Sequence, residues 1–114
     1  MKKSNARVVQ TTYDFIKWYV PILNRLPRDH KYLLGDRIIT GLYDLLEAFV
    51  TTQYAKEKLS RLYPLNDRLD ILRYQTRLLL DFELISTKRY EYASRQINDI
   101  GRELGAWIKQ QQTL

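Results

Sequence analysis

The 114-residue chain has no cysteine and only one histidine, His30. Without cysteine it can form neither a disulfide framework nor a thiolate metal site, and one histidine provides no pair of imidazole ligands. The absence of cysteine also fits a reducing compartment, so we expect a cytoplasmic protein. Because these residue types are absent or scarce, we expect no metal site and no cofactor.

The sequence also lacks long apolar runs. None approaches the roughly 20 residues that a membrane-spanning helix needs. The first residues include Lys2 and Lys3 but no continuous apolar segment, so we expect neither a signal peptide nor a membrane association. The length suits one domain, and we expect residues 1–114 to form it.

Catalytic motifs are missing as well. The chain has no glycine-rich phosphate loop followed by Lys-Ser/Thr and no Gly-x-Ser-x-Gly, so we expect no enzyme and no catalytic residue. His30 follows Asp29, a pairing that also occurs in active sites. Pro27 disfavours helical geometry at Leu26, however, and Asp29 suits the start of the next helix. We therefore interpret this stretch as a joint between two helices, with His30 in the first turn of the second.

The chain is rich in basic residues. Nineteen Lys and Arg face thirteen Asp and Glu, which gives a net charge of +6. Each half of the sequence contributes +3, so the charge is not confined to a tail. Such a balance favours polyanionic partners such as nucleic acid, although a soluble basic protein would have it too.

The apolar residues recur with helical periodicity throughout. We expect an all-α, up-down-up-down, antiparallel four-helix bundle with helices at about residues 6–25, 30–57, 64–85 and 87–111. Pro64 suits a first turn, and Ser86 or Thr87 suits a cap. The four expected core stripes are Val9, Tyr13, Ile16, Val20 and Leu23; Ile38, Leu42, Leu45 or Leu46, and Phe49; Leu65, Leu69, Leu72, Thr76 and Leu79; and Tyr90, Ala93, Ile97, Ile100, Leu104 and Trp107.

Two helices have more apolar residues than one core stripe accounts for. At 100° per residue, a second stripe lies away from the expected core of the first helix, and another lies on the third. Either the core face is wide, or these stripes form an interface between copies of the chain. The candidate interface residues are Phe15, Trp18, Ile22, Ile71, Tyr74 and Leu78, with Phe82 and Ile85 continuing the stripe on the third helix.

The fourth helix has a row of cations on its back. Lys88, Arg95, Arg102 and Lys109 are spaced by sevens, nearly two helical turns, and form a row roughly 30 Å long. Such a row is suited to a phosphate backbone, but it also fits a solvated face.

Acidic residues near the row would neutralise part of its positive charge. Glu91 and Asp99 are within helical reach of Arg95 and Arg102. On the third helix Arg73 and Arg77 are further candidate nucleic-acid or partner-binding residues, with Asp70 and Asp81 in reach, and the amino end adds Lys2, Lys3 and Arg7.

Tyrosines and glycines lie at informative positions. Four tyrosines fall off the core stripes and suit either base stacking or interface packing: Tyr32, Tyr54, Tyr74 and Tyr92. Four glycines inside helices cost stability unless a neighbour packs against bare backbone, and we expect such close packing at Gly35, Gly41, Gly101 and Gly105.

Three stretches resemble one known family. LPRDHKYLLGDRI (26–38), RLDILRYQTRLLLDFELIS (68–86) and YEYASRQINDIGRELGAWIK (90–109) are similar to the turn, third helix and closing helix of the Avd family. Avd proteins are accessory variability determinants of diversity-generating retroelements. The Ile-Gly-Arg-x-Leu-Gly-x-Trp run at residues 100–107 is the most specific part of this resemblance.

The resemblance implies a function. Avd-like proteins are four-helix bundles that form a basic, barrel-shaped homopentamer and associate with the retroelement's reverse transcriptase and its RNA. The complex makes mutagenised cDNA, so contact with DNA is also implied, and the polymerase active site belongs to the partner. The alternatives are a related four-helix protein of the type encoded in 23S rRNA intervening sequences, or an oligomeric interaction module with no nucleic-acid role.

Overall fold

The computed structural model describes the backbone of residues 2–114 and the side chains of residues 7–114. Within that part of the chain the secondary structure is helical and has no strand, so the predicted all-α class is confirmed. Helix α1 spans Lys2–Asn24. Helix α2 is built from three consecutive segments, Arg28–His30, Lys31–Gly35 and Asp36–Thr52. Helix α3 spans Leu59–Asp81, and α4 spans Thr87–Gln112.

Each helix packs mainly against two others. The main contacts are α1 with α2, α2 with α3, α3 with α4, and α4 back with α1. Short connections place successive helices antiparallel, and the resulting four-helix bundle measures 47 × 23 × 20 Å. The outer sides of α3 and α4 therefore lie next to each other along one seam.

The core stripe of α1 differs from the predicted one. Phe15 and Tyr19 are almost fully buried, whereas Tyr13, an expected core residue, is 48% exposed. The buried stripe lies about one residue, or 100°, away from the expected centre, because two large aromatic rings bury more apolar surface than Tyr13 would. Its members are Val8, Thr12, Phe15, Ile16, Tyr19, Ile22 and Leu23.

This rotation corrects the predicted interface on α1. Phe15 and Ile22 are buried inside the bundle, so the prediction that they line an outer face is wrong. Trp18 is half-buried and packs against its own chain, with its ring centroid 6.0 Å from that of Phe15 and 5.5 Å from that of Tyr19. For α1, the alternative of a wide core face is therefore the one that the structure shows.

Helix α2 begins earlier and ends earlier than predicted. Pro27 precedes the first helical residue, and its side chain provides no capping hydrogen bond. Asp29 is not the cap but lies inside the first turn, where a carboxylate still favours the positive end of the helix. His30 is in that first turn, as expected.

A π-helical turn at Lys31–Gly35 interrupts α2. Gly35 is buried there, and a Cβ atom at this position would lie 3.3 Å from Leu26 Cδ1 and 3.4 Å from the Leu23 carbonyl oxygen. The predicted close packing is thus confirmed for Gly35. It is wrong for Gly41 and Gly105, where an added Cβ would have no neighbour within 4 Å.

Helix α3 starts five residues before Pro64, so the predicted first-turn position of this proline is wrong. The additional turn buries Leu62 completely, which offsets the backbone hydrogen bond that Pro64 cannot donate. The end of α3 is a Schellman motif, in which the Leu84 N–H donates to the Leu79 carbonyl at 2.8 Å and the Glu83 N–H to the Leu80 carbonyl at 2.9 Å. Glu83 has a φ of 60° at the position where glycine is usual.

The remaining core predictions are confirmed for α2 and α3 and, except for half-buried Tyr90, for α4. One polar pair lies within this core, where the Tyr19 hydroxyl of α1 and the Thr76 hydroxyl of α3 share a hydrogen bond of 2.8 Å. Burial raises the pKa of Tyr19 to about 12, while the bond to Thr76 acts in the opposite direction.

Candidate nucleic-acid interface

Helix α4 holds the predicted basic row on its outer side. The helix starts where predicted, because the Ser86 side chain accepts a hydrogen bond from the Arg89 N–H at 3.1 Å. Lys88, Arg95, Arg102 and Lys109 are all exposed. Because they are spaced seven residues apart on a helix that continues to Gln112, these four cations lie on one side of the bundle.

The two halves of this row differ in how their charges are balanced. Arg102 donates to Asp99 at 2.8 Å, as expected. The expected pairing of Glu91 with Arg95 does not form, and among residues 7–114 neither Lys88 nor Lys109 has an acidic partner within 4.0 Å. The amino-terminal half of the row therefore presents two cations that no carboxylate of the described chain offsets.

An aromatic residue lies within the same row. Tyr92 is four residues after Lys88 and three before Arg95, so it shares their face of α4. The residue is 37% exposed, and the Arg95 guanidinium carbon lies 5.9 Å from the ring centroid. The spacing of four and three in the sequence is the signal for this placement, although the predicted row contained only cations.

Trp18 of α1 supports Tyr92 from the bundle side. The two ring centroids are 4.5 Å apart and the ring planes are inclined by 51°. Behind Trp18, the rings of Phe15 and Tyr19 continue into the core. An unbroken series of aromatic contacts thus joins the interior to the surface of the basic row.

The cations of α3 are held differently. Arg73 donates to Asp70 at 2.8 Å and Arg77 lies 3.7 Å from Asp81. Arg73 also reaches across the seam to Asn98 Oδ1 at 3.4 Å. Its guanidinium lies 3.1 Å from where a Cβ atom on Gly101 would be, so the close packing predicted at Gly101 is confirmed. Both α3 cations are therefore partly neutralised by their own helix.

The carboxyl-terminal half of the α4 row borders a polar groove. Arg7, Arg102, Glu103 and Ala106 line a depression of about 290 Å³ between α1 and α4. Glu103 lies 3.7 Å from Arg7 and accepts a hydrogen bond from Thr11 at 3.2 Å. The side chains of Lys2 and Lys3, also expected to add charge, lie outside the described residues.

The outer side of α3 is apolar. Ile71 is 54% exposed, Tyr74 75% and Leu78 41%, and Phe82 continues the series, whereas Ile85 is buried. Between α2 and α3 a groove of about 330 Å³ runs beside Ile71, with charged residues on both walls. The walls and floor of this groove include Asp36, Arg37, Gly41, Asp44, Arg68 and Gln75.

The off-core placement of the tyrosines is confirmed, because Tyr32, Tyr54, Tyr74 and Tyr92 are all exposed. His30, in contrast, packs its ring 5.7 Å from that of Phe82. The described part of the chain contains no group of three metal-binding side chains. No helix formed by these residues is long and apolar enough to cross a membrane.

Comparison with known protein families finds a match. The family model described as bAvd-like matches residues 7–111 of the chain, which cover all four helices except the start of α1 and the last residue of α4. A search of curated proteins finds no match.

Proposed function

Because the chain belongs to the bAvd-like family, we propose that it is a non-catalytic accessory protein of a diversity-generating retroelement. In this role it binds the element's reverse transcriptase together with its RNA, and it supports the mutagenic retrohoming of the resulting cDNA. The observation that carries the proposal is the family match, which extends from the first described side chain into the last turn of α4.

The surface of α4 supports a nucleic-acid role. Lys88, Arg95 and Lys109 lie on one exposed face with no acidic partner among residues 7–114. Cations in a row attract a phosphate backbone without reading its sequence, which suits a protein that handles RNA and then cDNA. Arg102 can join them, since an exposed ion pair such as that with Asp99 contributes only about 0–1 kcal/mol.

The surface of α3 supports self-association. Ile71, Tyr74 and Leu78 form an exposed apolar strip, and the neighbouring Arg73 and Arg77 are already paired with acids of the same helix. Covering such a strip removes apolar surface from water with little competing charge to desolvate. We propose that this strip is the interface of a homo-oligomer, a pentamer by resemblance to the family.

The proposal assigns catalysis to the partner. His30, which invites comparison with a general base, packs near Phe82 at the end of the bundle. It lies in the first turn of α2, while the basic row lies on α4. By resemblance to the family, we propose that the polymerase chemistry belongs to the reverse transcriptase and that this chain acts by binding.

The direct test uses the retroelement itself. The tagged chain should co-purify with the reverse transcriptase of its own element, and deleting its gene should abolish transfer of a marked template repeat into the variable repeat. A plasmid copy of the wild-type gene is the control that should restore transfer. Normal transfer in the deletion strain would contradict the proposal.

A further inference from the structure

The surface of α4 combines unpaired cations with an exposed ring, and we infer that Tyr92 and Arg95 form a stacking site for an unpaired nucleobase. Lys88 lies one helical turn before Tyr92 and would bind a flanking phosphate. This inference rests on the proposed function, because it specifies which form of nucleic acid the basic row takes. The ligand class is single-stranded nucleic acid, either RNA or DNA, in preference to a duplex.

The geometry of the ring supports stacking. Single-stranded bases bind to aromatic side chains and to guanidinium planes, and these two groups lie together here, with the Arg95 guanidinium carbon 5.9 Å from the Tyr92 centroid. Tyr92 keeps 37% of its surface exposed although Trp18 packs 4.5 Å away on the bundle side. Tyr92 is therefore packed on its bundle side and partly accessible to solvent.

The distribution of charge selects this end of the row. Lys88 and Arg95 flank Tyr92 and have no acidic partner among residues 7–114, whereas Arg102, farther along, is paired with Asp99. The aromatic residue thus lies in the half of the row where phosphates meet the least opposing charge. Seven residues of helix separate the two flanking cations by about 10.5 Å along the axis. That separation leaves room for one base between two phosphate contacts.

Exposed tyrosines elsewhere lack this combination. Tyr43 on α2 is 44% exposed, similar to Tyr92, but it makes no aromatic or cation–π contact among the described residues. Tyr13 has Lys17 over its ring at 5.3 Å, yet it lies outside the α4 row. Tyr43 therefore offers a matched control for the loss of an exposed aromatic ring.

The experiment compares Tyr92→Leu, Tyr92→Phe and Tyr43→Leu in the full-length chain. Leucine fills the seam between α1 and α4 but has no π face, while phenylalanine keeps the face and loses only the hydroxyl. The binding probe is a fluorescent, unstructured 12-nucleotide RNA, followed by anisotropy at fixed salt. The same sequence as DNA and as a duplex provides two further arms.

Tyr92→Leu should weaken binding of the single strand roughly 5- to 150-fold, the range that corresponds to the stacking of one base. Tyr92→Phe and Tyr43→Leu should bind like the wild type, and the duplex should be insensitive to all three changes. A larger loss of affinity with RNA than with DNA would indicate a contact with the 2′-hydroxyl. Equal losses would indicate that the site accepts either RNA or DNA. Both of these results support the inference.

Intrinsic fluorescence gives a second readout. Trp107 is fully buried, so quenching by an added oligonucleotide reports mainly on Trp18 beside Tyr92.

Equal affinity of Tyr92→Leu and the wild type for the single strand would overturn the stacking site. If Lys88→Gln with Arg95→Gln still weakened binding in that case, the nucleic-acid role would stand and only this inference would fail. If the wild type bound none of the probes, both the stacking site and the nucleic-acid role would be contradicted.

Discussion

The outer sides of α3 and α4 differ although the two helices are neighbours of similar length. On α3 the exposed side combines Tyr74 and other apolar groups with arginines that pair with acids of the same helix. On α4 the exposed side carries Lys88 and Lys109 without such partners in the described chain, and a tyrosine between two cations. Both helices were expected to carry basic residues, so the number of cations does not distinguish them.

The difference in pairing follows from the position of the acids. Asp70 and Asp81 lie three or four residues from the α3 arginines and reach them, while Glu91 lies four residues before Arg95 and does not. A neutralised and apolar side suits contact with another protein, and an unpaired cationic side suits a polyanion. Two changes test this division directly, and two with smaller expected effects test the core and the connection that hold the two surfaces together.

Tyr74→Glu should dissociate the proposed homo-oligomer. The substitution would place a charge in the proposed α3 interface, which excludes water, at a cost of about 2–5 kcal/mol for each copy. Since Tyr74 is 75% exposed in the single chain, the thermal midpoint of the isolated protomer should barely change. Sedimentation velocity measures the mass, and Tyr54→Glu in the connection between α2 and α3 is the control. An unchanged sedimentation coefficient would show that α3 is not the interface.

Neutralising two cations of α4 should have a larger effect on RNA binding than the same change on α3. Lys88→Gln with Arg95→Gln should lower the slope of log K against log salt by roughly 0.7 for each phosphate of a single strand that is no longer bound. Arg73→Gln with Arg77→Gln removes equal charge from paired residues and should leave the slope near that of the wild type. Equal slopes for the two double variants would contradict the proposed difference in RNA binding between α3 and α4.

Tyr19→Phe should destabilise the core beneath both surfaces. Thr76 loses its hydrogen-bond partner, which costs about 1 kcal/mol or somewhat more for the unpaired buried hydroxyl. The pKa of Tyr19 is raised from 10.0 to about 12, so its contribution is complete below pH 10 and is lost as the pH rises towards 12. Urea unfolding at pH 8 and at pH 11 should show a smaller alkaline loss in the variant than in the wild type.

RNA affinity and sedimentation of Tyr19→Phe, measured where the variant is folded, should match the wild type. A change in either would mean that the two surfaces depend on this core bond.

Glu83→Gly should stabilise the connection between the two helices slightly. Glu83 adopts a φ of 60°, which glycine tolerates without the steric cost that a Cβ atom brings. The gain is partly offset by the greater entropy of glycine in the unfolded chain, so we expect about 0.5–1 kcal/mol. Chemical denaturation measures it, with Glu91→Gly inside α4 as a control that should lose stability. A destabilised Glu83→Gly would show that the carboxylate makes a compensating contact.

Much of the bundle follows from periodicity. The stripes through Ile38 and Ile97 lie opposite mostly polar residues, so one rotation of α2 and one of α4 buries them. The capping of α4 by Ser86 was also predictable, because a hydroxyl before a polar first turn is a local signal. These features depend on residues within one or two turns of one another.

The parts that differ depend on competition between elements. Helix α1 has two apolar stripes one residue apart, and the choice between Tyr13 and Phe15 is made by the neighbouring helices that surround the ring. The same holds for Pro64, because the cost of placing a proline inside α3 is offset by the burial of Leu62. At the candidate site the sequence predicted the cations, but which of them keep an acid partner depends on side-chain geometry that spacing alone does not determine.

The π-helical turn at Lys31–Gly35 has a consequence for how this chain tolerates changes in length. A π turn contains one residue more than the α turn that it replaces. Removing a single residue there would convert the turn to α geometry and leave the segments on both sides in register, so His30 would still lie beside Phe82 while Ile38 and Phe49 kept their places. The second helix therefore has one point where its length can change by a residue without disturbing the packed layers on either side.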